Sequence, residues 1–530
     1  MPTNESTSAS AGKYQIARAA GLVMALFVLS RLLGLVREMI IGAQFGTSAD
    51  LDAYLAAFRL PDLLFQLVAG GALGSAFIPT FTGYLTREDR DGAWQLASGV
   101  ANLVLAVTTA VAVMAGILAP WLVREIIAPG FDLAQQALTV RLMRTMLITP
   151  VIFGVSGLVM GALNAHQHFF LPAAAPIVYN LAIIGGALGL APGMGVTGLA
   201  VGVAAGSVLH LLVQVPGLLW FKARYWPVLT LRDPGIREVG RLMAPRVLGL
   251  AAVQINFLVN TVLASDLVEG SLSALNFAWL MMLLPQGVFA QAVATAAFPT
   301  FSALAARGEI DEMRSTLSAT LQALFFLSVP AAVGLLVLRM PLIQLLFQRG
   351  AFEASSTETV AWALQFYALG LPAHAGVEVV ARAFYALHDT RTPVTVSVAA
   401  MSLNVVLSLM LIKPLNHGGL ALANTLATTL ELLGMLVLIQ RRWGGIEGRR
   451  LIRALSRVIL AATLMGGVLW ASYRLVSGRI GDTSAVFEAG GGILLGVAVY
   501  SCALLVMGTG EMRAVGRWIR RLKSWTFPGR

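Results

Sequence analysis

Charged residues are scarce in this sequence, and cysteine is nearly absent. Lys, Arg, Asp and Glu make up 12% of the 530 residues, whereas 57% of the residues are hydrophobic. Soluble domains carry about 25% charged residues, and a water-soluble core could not bury so much apolar surface. The composition therefore argues against a cytosolic enzyme and against intrinsic disorder. The single cysteine, Cys502, rules out an internal disulfide scaffold.

The motifs of soluble enzymes are also missing. There is no G-x-x-x-x-G-K-[ST] segment for ATP, no H-E-x-x-H metal site and no G-x-S-x-G nucleophile. His166 and His168 border a predicted loop. This position favours a place at the membrane interface over a role as metal ligands. The sequence thus predicts a protein that is not an enzyme, without cofactor or metal. Anything that it moves must be driven by a gradient, by the membrane potential or by consumption on the far side.

Long apolar runs dominate the sequence instead. About fourteen runs are each long enough to cross ~30 Å of hydrocarbon as a helix, and they lack the period-two alternation of barrel strands. The runs are 16–43, 51–84, 94–122, 136–163, 170–191, 196–221, 237–264, 272–305, 315–347, 357–386, 393–413, 417–440, 451–474 and 487–510. The predicted fold class is an all-α polytopic membrane protein.

The net charge of +11 lies in short segments between these runs, which indicates membrane topology rather than nucleic-acid binding. With the N-terminus inside, the inside segments hold about 24 Lys and Arg and the outside loops about 5, so both termini are predicted to be cytoplasmic. Residues 1–15 form a polar tail without a signal peptide. Residues 511–530 resemble a basic amphipathic helix on the anionic inner leaflet. Its basic side consists of Arg513, Arg517, Arg520 and Arg521.

The chain contains an internal repeat with an offset of about 220 residues. The matching pairs are Pro79 with Pro299, Arg87 with Arg307, Pro150 with Pro372, Pro172 with Pro393, and His210 with Glu431. The repeat unit is six spans, so both copies enter from the same side, as in transporters built from two parallel bundles. A duplicated scaffold without transport is the alternative. The predicted segments are the tail 1–15, an N-lobe 16–235, a C-lobe 236–445, a two-helix appendage 446–510 and the tail 511–530.

Charges inside the spans are the candidate functional residues, because each costs at least ~2.5 kcal/mol at the bilayer centre unless it is paired or hydrated. They crowd into the first two spans as Arg31, Arg37, Glu38, Asp52, Arg59 and Asp62. The planar fork of arginine suits the oxygens of a diphosphate, which favours an anionic, phosphorylated substrate. Alternatively, the opposite charges of the two helices neutralise one another and serve only to hold the helices together. In a later span, Glu378 and Arg382 are one turn apart and are predicted to pair.

With these residues the chain resembles the MurJ (MviN) family of lipid II flippases, within the multidrug/oligosaccharidyl-lipid/polysaccharide exporter superfamily. The resemblance rests on the segments 30–38, 51–54, 57–64, 71–73, 76–79, 171–180 and 382–393. It implies fourteen helices in two lobes in a bacterial inner membrane. It also implies a function: turning an undecaprenyl-diphosphate-linked peptidoglycan precursor from the inner to the outer leaflet by alternating access. The implied partners are this lipid II-like substrate, membrane lipids and cell-wall synthesis proteins.

The resemblance also implies roles for the candidate residues. Arg31 and Arg37 match the cations that bind the diphosphate, Glu38 and Asp52 match acidic positions, and Arg59 takes a basic position. These five residues form the predicted substrate-binding site.

The chain departs from the family pattern at several positions. Phe65, Gln66 and Gly70 stand where many members have a cation and an acidic residue, and Leu280 and Leu283 replace an arginine and a carboxylate of helix eight. The headgroup of the substrate is therefore open. Export of another lipid-linked oligosaccharide is the first alternative. A non-transporting membrane scaffold, a cation-coupled drug exporter and a membrane glycosyltransferase are the others. In the second half, Asn404 is followed by Ser408 rather than a carboxylate, so no sodium site is predicted.

Overall fold

The computed structural model describes residues 5–68, 72–228, 233–445, 447–476 and 484–507. Nearly all of these residues are helical, and none of them lies in a β-strand. The predicted all-α fold class is confirmed. A helix satisfies the hydrogen bonds of its own backbone, which is necessary where no water is present in the hydrocarbon of a membrane. The predicted basic tail 511–530 lies outside the described residues, as do residues 1–4 of the polar tail.

The chain divides into two compact units, the first of which runs to Leu272 and includes Gly350–Phe352. Its helices are α1 (Glu5–Phe45), α2 (Ala49–Val68), α3 (Ala72–Thr86), α4 (Arg90–Leu122), α5 (Leu133–Met146), α6 (Ile148–Ala165), α7 (Phe170–Gly185), α8 (Ala191–Met194), α9 (Val196–Leu212), α10 (Val215–Trp220) and α11 (Pro234–Ser265). Short π-helical turns, Val123–Ile127 and Gly186–Leu190, extend α4 and α7.

The second unit comprises Ser273–Arg349 and the chain from Glu353 onward. Its helices are α12 (Ser271–Arg307), α13 (Ile310–Phe347), α14 (Ala354–Ala386), α15 (Arg391–Leu415), α16 (His417–Arg442), α17 (Gly448–Val476) and α18 (Ser484–Val506). Helix α12 begins two residues before the boundary between the units.

Within the described residues, each predicted apolar run overlaps one helix or consecutive helices. The run 51–84 corresponds to α2 and α3, the run 136–163 to α5 and α6, and the run 196–221 to α9 and α10. Among the described residues, 10 helical stretches are long and apolar enough to cross a membrane. The chain is thus a multi-pass membrane protein, and the count of fourteen spans stays a prediction.

Helix α11 packs within the first unit, although the sequence repeat assigns it to the segment 236–445. Its first turn is capped by Asp233, which accepts hydrogen bonds from the backbone of Gly235 and Ile236. The side chain of Ile236 then packs into the core that includes Leu96. The predicted lobes follow the repeat rather than these contacts, so they stay a prediction.

Several acidic residues between the spans are helix N-caps. Asp89 accepts from the backbone N–H of Gly92 at 2.9 Å, and Asp132 accepts from that of Gln135 at 2.7 Å. A carboxylate at this position satisfies N–H groups that the first helical turn leaves open. Asp89 and Asp132 therefore mark where α4 and α5 begin.

Two prolines of the repeat occupy equivalent local positions. Pro172 is the third residue of α7 and Pro393 is the third residue of α15. Proline is tolerated in the first turn of a helix, because N–H groups there have no intrahelical acceptor. The repeat thus marks the start of a helix in each half.

Each unit has its own apolar core. In the first unit, Phe77 and Phe81 of α3 pack with Trp94 of α4. In the second, one core joins α12, α13, α14 and α16, and another joins α13 to α17 and α18. The second of these cores includes Leu338 and Leu469.

Candidate functional site

The five predicted site residues lie on α1 and α2, which a tight turn connects. Gly46 follows α1 with a φ of 58°, and its N–H donates to the carbonyl of Gly42 at 2.7 Å. Glycine adopts this left-handed conformation without strain and ends the helix. Helix α2 begins three residues later, at Ala49.

Arg37 of α1 makes polar contacts with two other side chains. Its Nη2 pairs with Oε1 of Glu38 at 2.6 Å, and its Nε donates to the same oxygen at 3.2 Å. Its Nη1 donates to Oδ1 of Asn180 on α7 at 3.0 Å. Asn180 in turn donates to the carbonyl of Ser30 at 3.3 Å. A carboxylate and an amide therefore fix the orientation of the guanidinium.

This network does not use the whole guanidinium of Arg37. An arginine has five N–H donors, and the contacts to Glu38 and Asn180 use three of them. The side chain of Arg37 is 26% exposed and that of Glu38 is 15% exposed. The two remaining donors have no acceptor among the described residues, so this cation can still receive an anion.

Arg31 lies on α1 six residues before Arg37 and is exposed. No ion pair joins it to a carboxylate in the part of the chain that the structure describes. Glu38, two turns away on the same helix, pairs with Arg37 instead. Arg31 therefore keeps its charge available.

Asp52 occupies a different environment at the start of α2. It is only 2% exposed, and its Oδ2 accepts the backbone N–H of Gly270 at 2.7 Å. Gly270 has a φ of 85°, and a Cβ there would lie 2.6 Å from the carbonyl oxygen of Thr47. The carboxylate thus fastens the turn before α12 to the start of α2.

Arg59, two turns further along α2, contacts α11. Its Nε donates to the Thr261 hydroxyl at 2.8 Å, and its guanidinium lies 5.8 Å from the centre of the Phe257 ring. Thr261 is fully buried. These contacts join the second helix to the seventh predicted span within the first unit.

A small cavity of about 100 Å³ lies beside Arg59. Its polar lining consists of Arg59, Asp62 and Gln254, and apolar side chains of α2, α4 and α11 complete it. The Gln254 side chain hydrogen-bonds to Asp62, on which Arg59 also acts electrostatically. Small-molecule pockets measure ~300–1,000 Å³, so this cavity suits a few waters rather than a lipid headgroup.

The structure therefore separates the five predicted residues into four groups, one of which is Arg31 alone. Arg37 and Glu38 lie together, Asp52 fastens a turn, and Arg59 lies in the small cavity with Asp62. The Arg37–Glu38 pair is local to α1, and the hydrogen bond from Gly270 to Asp52 involves a backbone N–H. Mutual neutralisation of α1 and α2 and substrate binding therefore both stay predictions.

Asn180 and Thr261 are the partners that sequence reasoning missed. Asn180 belongs to the segment that carries the family resemblance, and it is a polar residue within an apolar run. Such a residue needs a hydrogen-bonding partner in hydrocarbon, which was the signal available. Thr261 gave no comparable signal, since a threonine often bonds to its own helix, as this one does to Phe257.

A second buried polar network supports α7. Gln214 donates to the Ser156 hydroxyl at 2.8 Å, and this hydroxyl lies 2.7 Å from Nδ1 of His210. The Phe153 ring contacts both His210 and Tyr179, the residue before Asn180. The network therefore holds the helix that presents Asn180 to Arg37.

In the second unit, the predicted pair of Glu378 and Arg382 is confirmed, with 2.9 Å between the charged groups. Gln291 of α12 donates to Glu378 at 3.0 Å. Glu431, which has no partner nearby in sequence, accepts a hydrogen bond from Ser397. Within the described ranges, no group of His, Cys, Asp and Glu could hold a metal ion.

Comparison with known proteins identifies the family. The family model described as Lipid II flippase MurJ matches residues 41–487. A probable lipid II flippase MurJ of Rhizobium tropici is 30% identical over 93% of this chain and 94% of its own length. The lipid II flippase MurJ of Burkholderia cenocepacia is 31% identical over 85% of this chain and 89% of its own.

Solved structures share the fold. The chain is similar to a lipid II flippase MurJ in an inward closed conformation, with a TM-score of 0.78, 24% identity and coverage of 92% of this chain and 98% of the other. An inward-facing multidrug resistance transporter of the MATE family gives a TM-score of 0.68 at 14% identity, covering 80% and 98%.

The match to the family model extends over most of the chain, including Asp52 and Arg59. Arg31, Arg37 and Glu38 precede its first matched residue, and the alignment with the relative from Rhizobium tropici covers nearly the whole chain. The chain belongs to the lipid II flippase MurJ family of membrane transporters.

Proposed function

We propose that this protein turns a lipid II-like precursor, an undecaprenyl-diphosphate-linked saccharide-peptide, from the inner to the outer leaflet by alternating access. The observation that carries the proposal is the similarity over 93% of the chain to a relative named a probable lipid II flippase. The site on α1 carries two positive charges, Arg31 and Arg37, which suit a negatively charged diphosphate. Both guanidinium groups also have N–H donors that no described residue uses.

In this proposal Arg31 and Arg37 bind the diphosphate. Glu38 and Asn180 hold the Arg37 guanidinium in one orientation, so fewer rotamers are lost when an anion arrives. A phosphate oxygen would accept the two donors that Glu38 and Asn180 leave open. Arginine suits this role since its charge persists at every physiological pH.

Asp52 and Arg59 enter the proposal as positioning residues. Asp52 fastens the start of α2 through Gly270, and Arg59 anchors α2 to α11 through Thr261. Both contacts support the helix that follows the cation-bearing α1. A substrate headgroup is too large for the small cavity at Arg59.

The proposed transport is of the secondary type. The sequence has no ATP-binding motif, so the energy would come from the membrane potential, an ion gradient or consumption of the precursor outside. Both termini would be cytoplasmic, in the inner membrane, as the distribution of Lys and Arg favours. Cell-wall synthesis proteins that consume the precursor are the proposed partners.

Export of another lipid-linked oligosaccharide is a second candidate. The observation that favours it is the pair Leu280 and Leu283, which stand where the family resemblance leads us to expect an arginine and a carboxylate. A site with fewer cations would suit a smaller or less charged headgroup.

Complementation of a strain depleted of its own lipid II flippase tests the two candidates. Rescue of growth, with lipid II becoming accessible to a probe at the outer leaflet, supports the first function. An Arg31→Ala, Arg37→Ala variant present at normal abundance should fail to rescue, whereas Arg449→Ala, a matched exposed arginine of α17, should rescue fully. Correct insertion of the wild type without outer-leaflet lipid II would overturn the proposal.

A further inference from the structure

A larger cavity lies in the second unit, and no residue of α1 lines it. Its volume is about 580 Å³, within the ~300–1,000 Å³ typical of small-molecule sites. Residues of the last third of α13 and of the end of α17 form its walls. They are Leu336, Val337, Arg339, Met340, Trp470, Tyr473 and Arg474.

Two guanidinium groups line this cavity. Nη1 of Arg339 donates to the carbonyl of Leu336 at 2.6 Å, and the guanidinium of Arg474 lies 4.4 Å from the centre of the Trp470 ring. Among the described residues, neither arginine forms an ion pair with a carboxylate. Both side chains are therefore oriented by neutral groups.

One carboxylate lies nearby. Glu488 of α18 and Arg339 both act electrostatically on the Tyr473 hydroxyl. That hydroxyl makes no hydrogen bond to another described residue, so it is available as a donor. Two cations against a single anion leave the site with a net positive charge.

The α17 wall of the cavity lies at the end of a span. Arg474 is two residues before the end of α17, and α13 and α17 are both spans by length and composition. Trp470 is 52% exposed and Leu475 is 67% exposed, which places apolar surface beside the cavity. Tryptophan, tyrosine and arginine concentrate where a span meets the headgroups.

The walls of the cavity rest on a tightly packed core. Leu338 and Leu469, the residues before Arg339 and Trp470, are 3% and 1% exposed and belong to the core that joins α13, α17 and α18. A Cβ at Gly466 would come within 2.7 Å of the Val333 side chain, so the two helices approach closely there. Extension of a long side chain towards water would explain the position of each arginine alone. It would not explain why both arginines line one cavity with tightly packed walls.

We propose that this cavity binds the phosphate of an anionic membrane lipid, with its acyl chains along the exposed apolar surface of α17. Arg339 and Arg474 would hold the phosphate oxygens with their planar forks, and the Tyr473 hydroxyl would donate a further hydrogen bond. The predicted topology makes this the outer leaflet. The site is separate from the α1 cations, and its occupancy does not depend on the proposed flipping.

Native mass spectrometry of the full-length, delipidated protein in detergent tests the proposal, with phosphatidylglycerol as the probe. The Arg339→Gln, Arg474→Gln variant should bind it about tenfold more weakly than the wild type. The matched control is Arg449→Gln, Arg453→Gln, at the opposite end of α17, which should change the affinity less than about twofold. Glu488→Gln should strengthen binding, because it removes the opposing carboxylate.

Equal losses in both arginine pairs would show non-specific attraction to basic surface and would overturn the proposal, as would no loss in the first pair. The assignment to a lipid would be overturned if inorganic diphosphate bound as tightly as phosphatidylglycerol and lost affinity to the same extent in the arginine variants. Tighter binding of undecaprenyl diphosphate than of phosphatidylglycerol would support it and name the lipid. If the glutamine pair fails to fold, Arg339→Lys with Arg474→Lys keeps the charge. This variant should still bind more weakly, because the fork is lost.

Discussion

The guanidinium of Arg37 donates a 3.0 Å hydrogen bond to the side-chain oxygen of Asn180, 143 residues later in the chain. The same guanidinium pairs with its neighbour Glu38 at 2.6 Å. The first contact joins α1 to α7, and the second is local to α1. Together they hold the guanidinium in place while two of its N–H donors stay unused. Substitutions of Arg37 and Glu38 can therefore distinguish substrate binding from mere charge neutralisation.

The first prediction concerns Arg37→Ala and its combination with Glu38→Gln. If Arg37 binds substrate, Arg37→Ala abolishes transport while membrane abundance stays near normal, and the double variant restores nothing. If Arg37 only neutralises Glu38, the single change strands a half-buried carboxylate and costs up to ~3–5 kcal/mol. Membrane abundance is measured beside the accessibility of the lipid precursor at the outer leaflet. Recovered transport in the double variant would refute the binding role.

The second prediction concerns Asp52 as a positioning residue. Asp52→Ala leaves the buried N–H of Gly270 without its acceptor, a loss of roughly 1.5–3 kcal/mol for a hydrogen bond to a charged group. The melting temperature and membrane abundance should fall, and transport per folded molecule should change little. Asp50→Ala is the matched control, because Asp50 lies in the same first turn and is exposed. Normal stability with lost transport would instead indicate contact with substrate.

The third prediction concerns orientation. In a background where the native Cys502 is replaced by alanine, cysteine at Leu133, which is 82% exposed, should react from outside with an impermeant maleimide. Cysteine at the exposed Arg449 should react only after the membrane is opened. The physical reason is that a charged reagent does not cross the bilayer. The reverse pattern would invert the predicted topology and with it the direction of transport.

The fourth prediction concerns the loop before α15. The pKa of Asp389 lies below its usual range because its carboxylate accepts hydrogen bonds from the Thr392 side chain and backbone, with Arg442 3.0 Å away. A lowered pKa stabilises the fold above the unfolded value of about 4, and this contribution disappears as the pH falls through the folded value.

The melting temperature should therefore drop more steeply below about pH 4 in the wild type than in Asp389→Asn, which lacks this titration. Asp311→Asn serves as the control, since the Asp311 side chain is 94% exposed. Parallel pH curves for the wild type and Asp389→Asn would show that the carboxylate contributes no such linkage.

The sequence by itself determined the fold class. A helix satisfies the hydrogen bonds of its own backbone, so long apolar runs with few charges predict membrane-spanning helices. Where the structure describes these runs, they overlap helices. Ion pairs within one helix could also be predicted from the sequence. Glu378 and Arg382 are one turn apart, and their charged groups lie 2.9 Å from each other.

Only the tertiary structure decided how the predicted site residues are used. Asp52 and Arg59 share a helical face, yet one bonds to Gly270 and the other to Thr261, more than 200 positions away. Helical spacing fixes which residues share a face, but not which distant helix packs against that face. The partners of a charge in hydrocarbon depend on that packing, because the cost of burying the charge is met by whichever polar group the neighbouring helix presents.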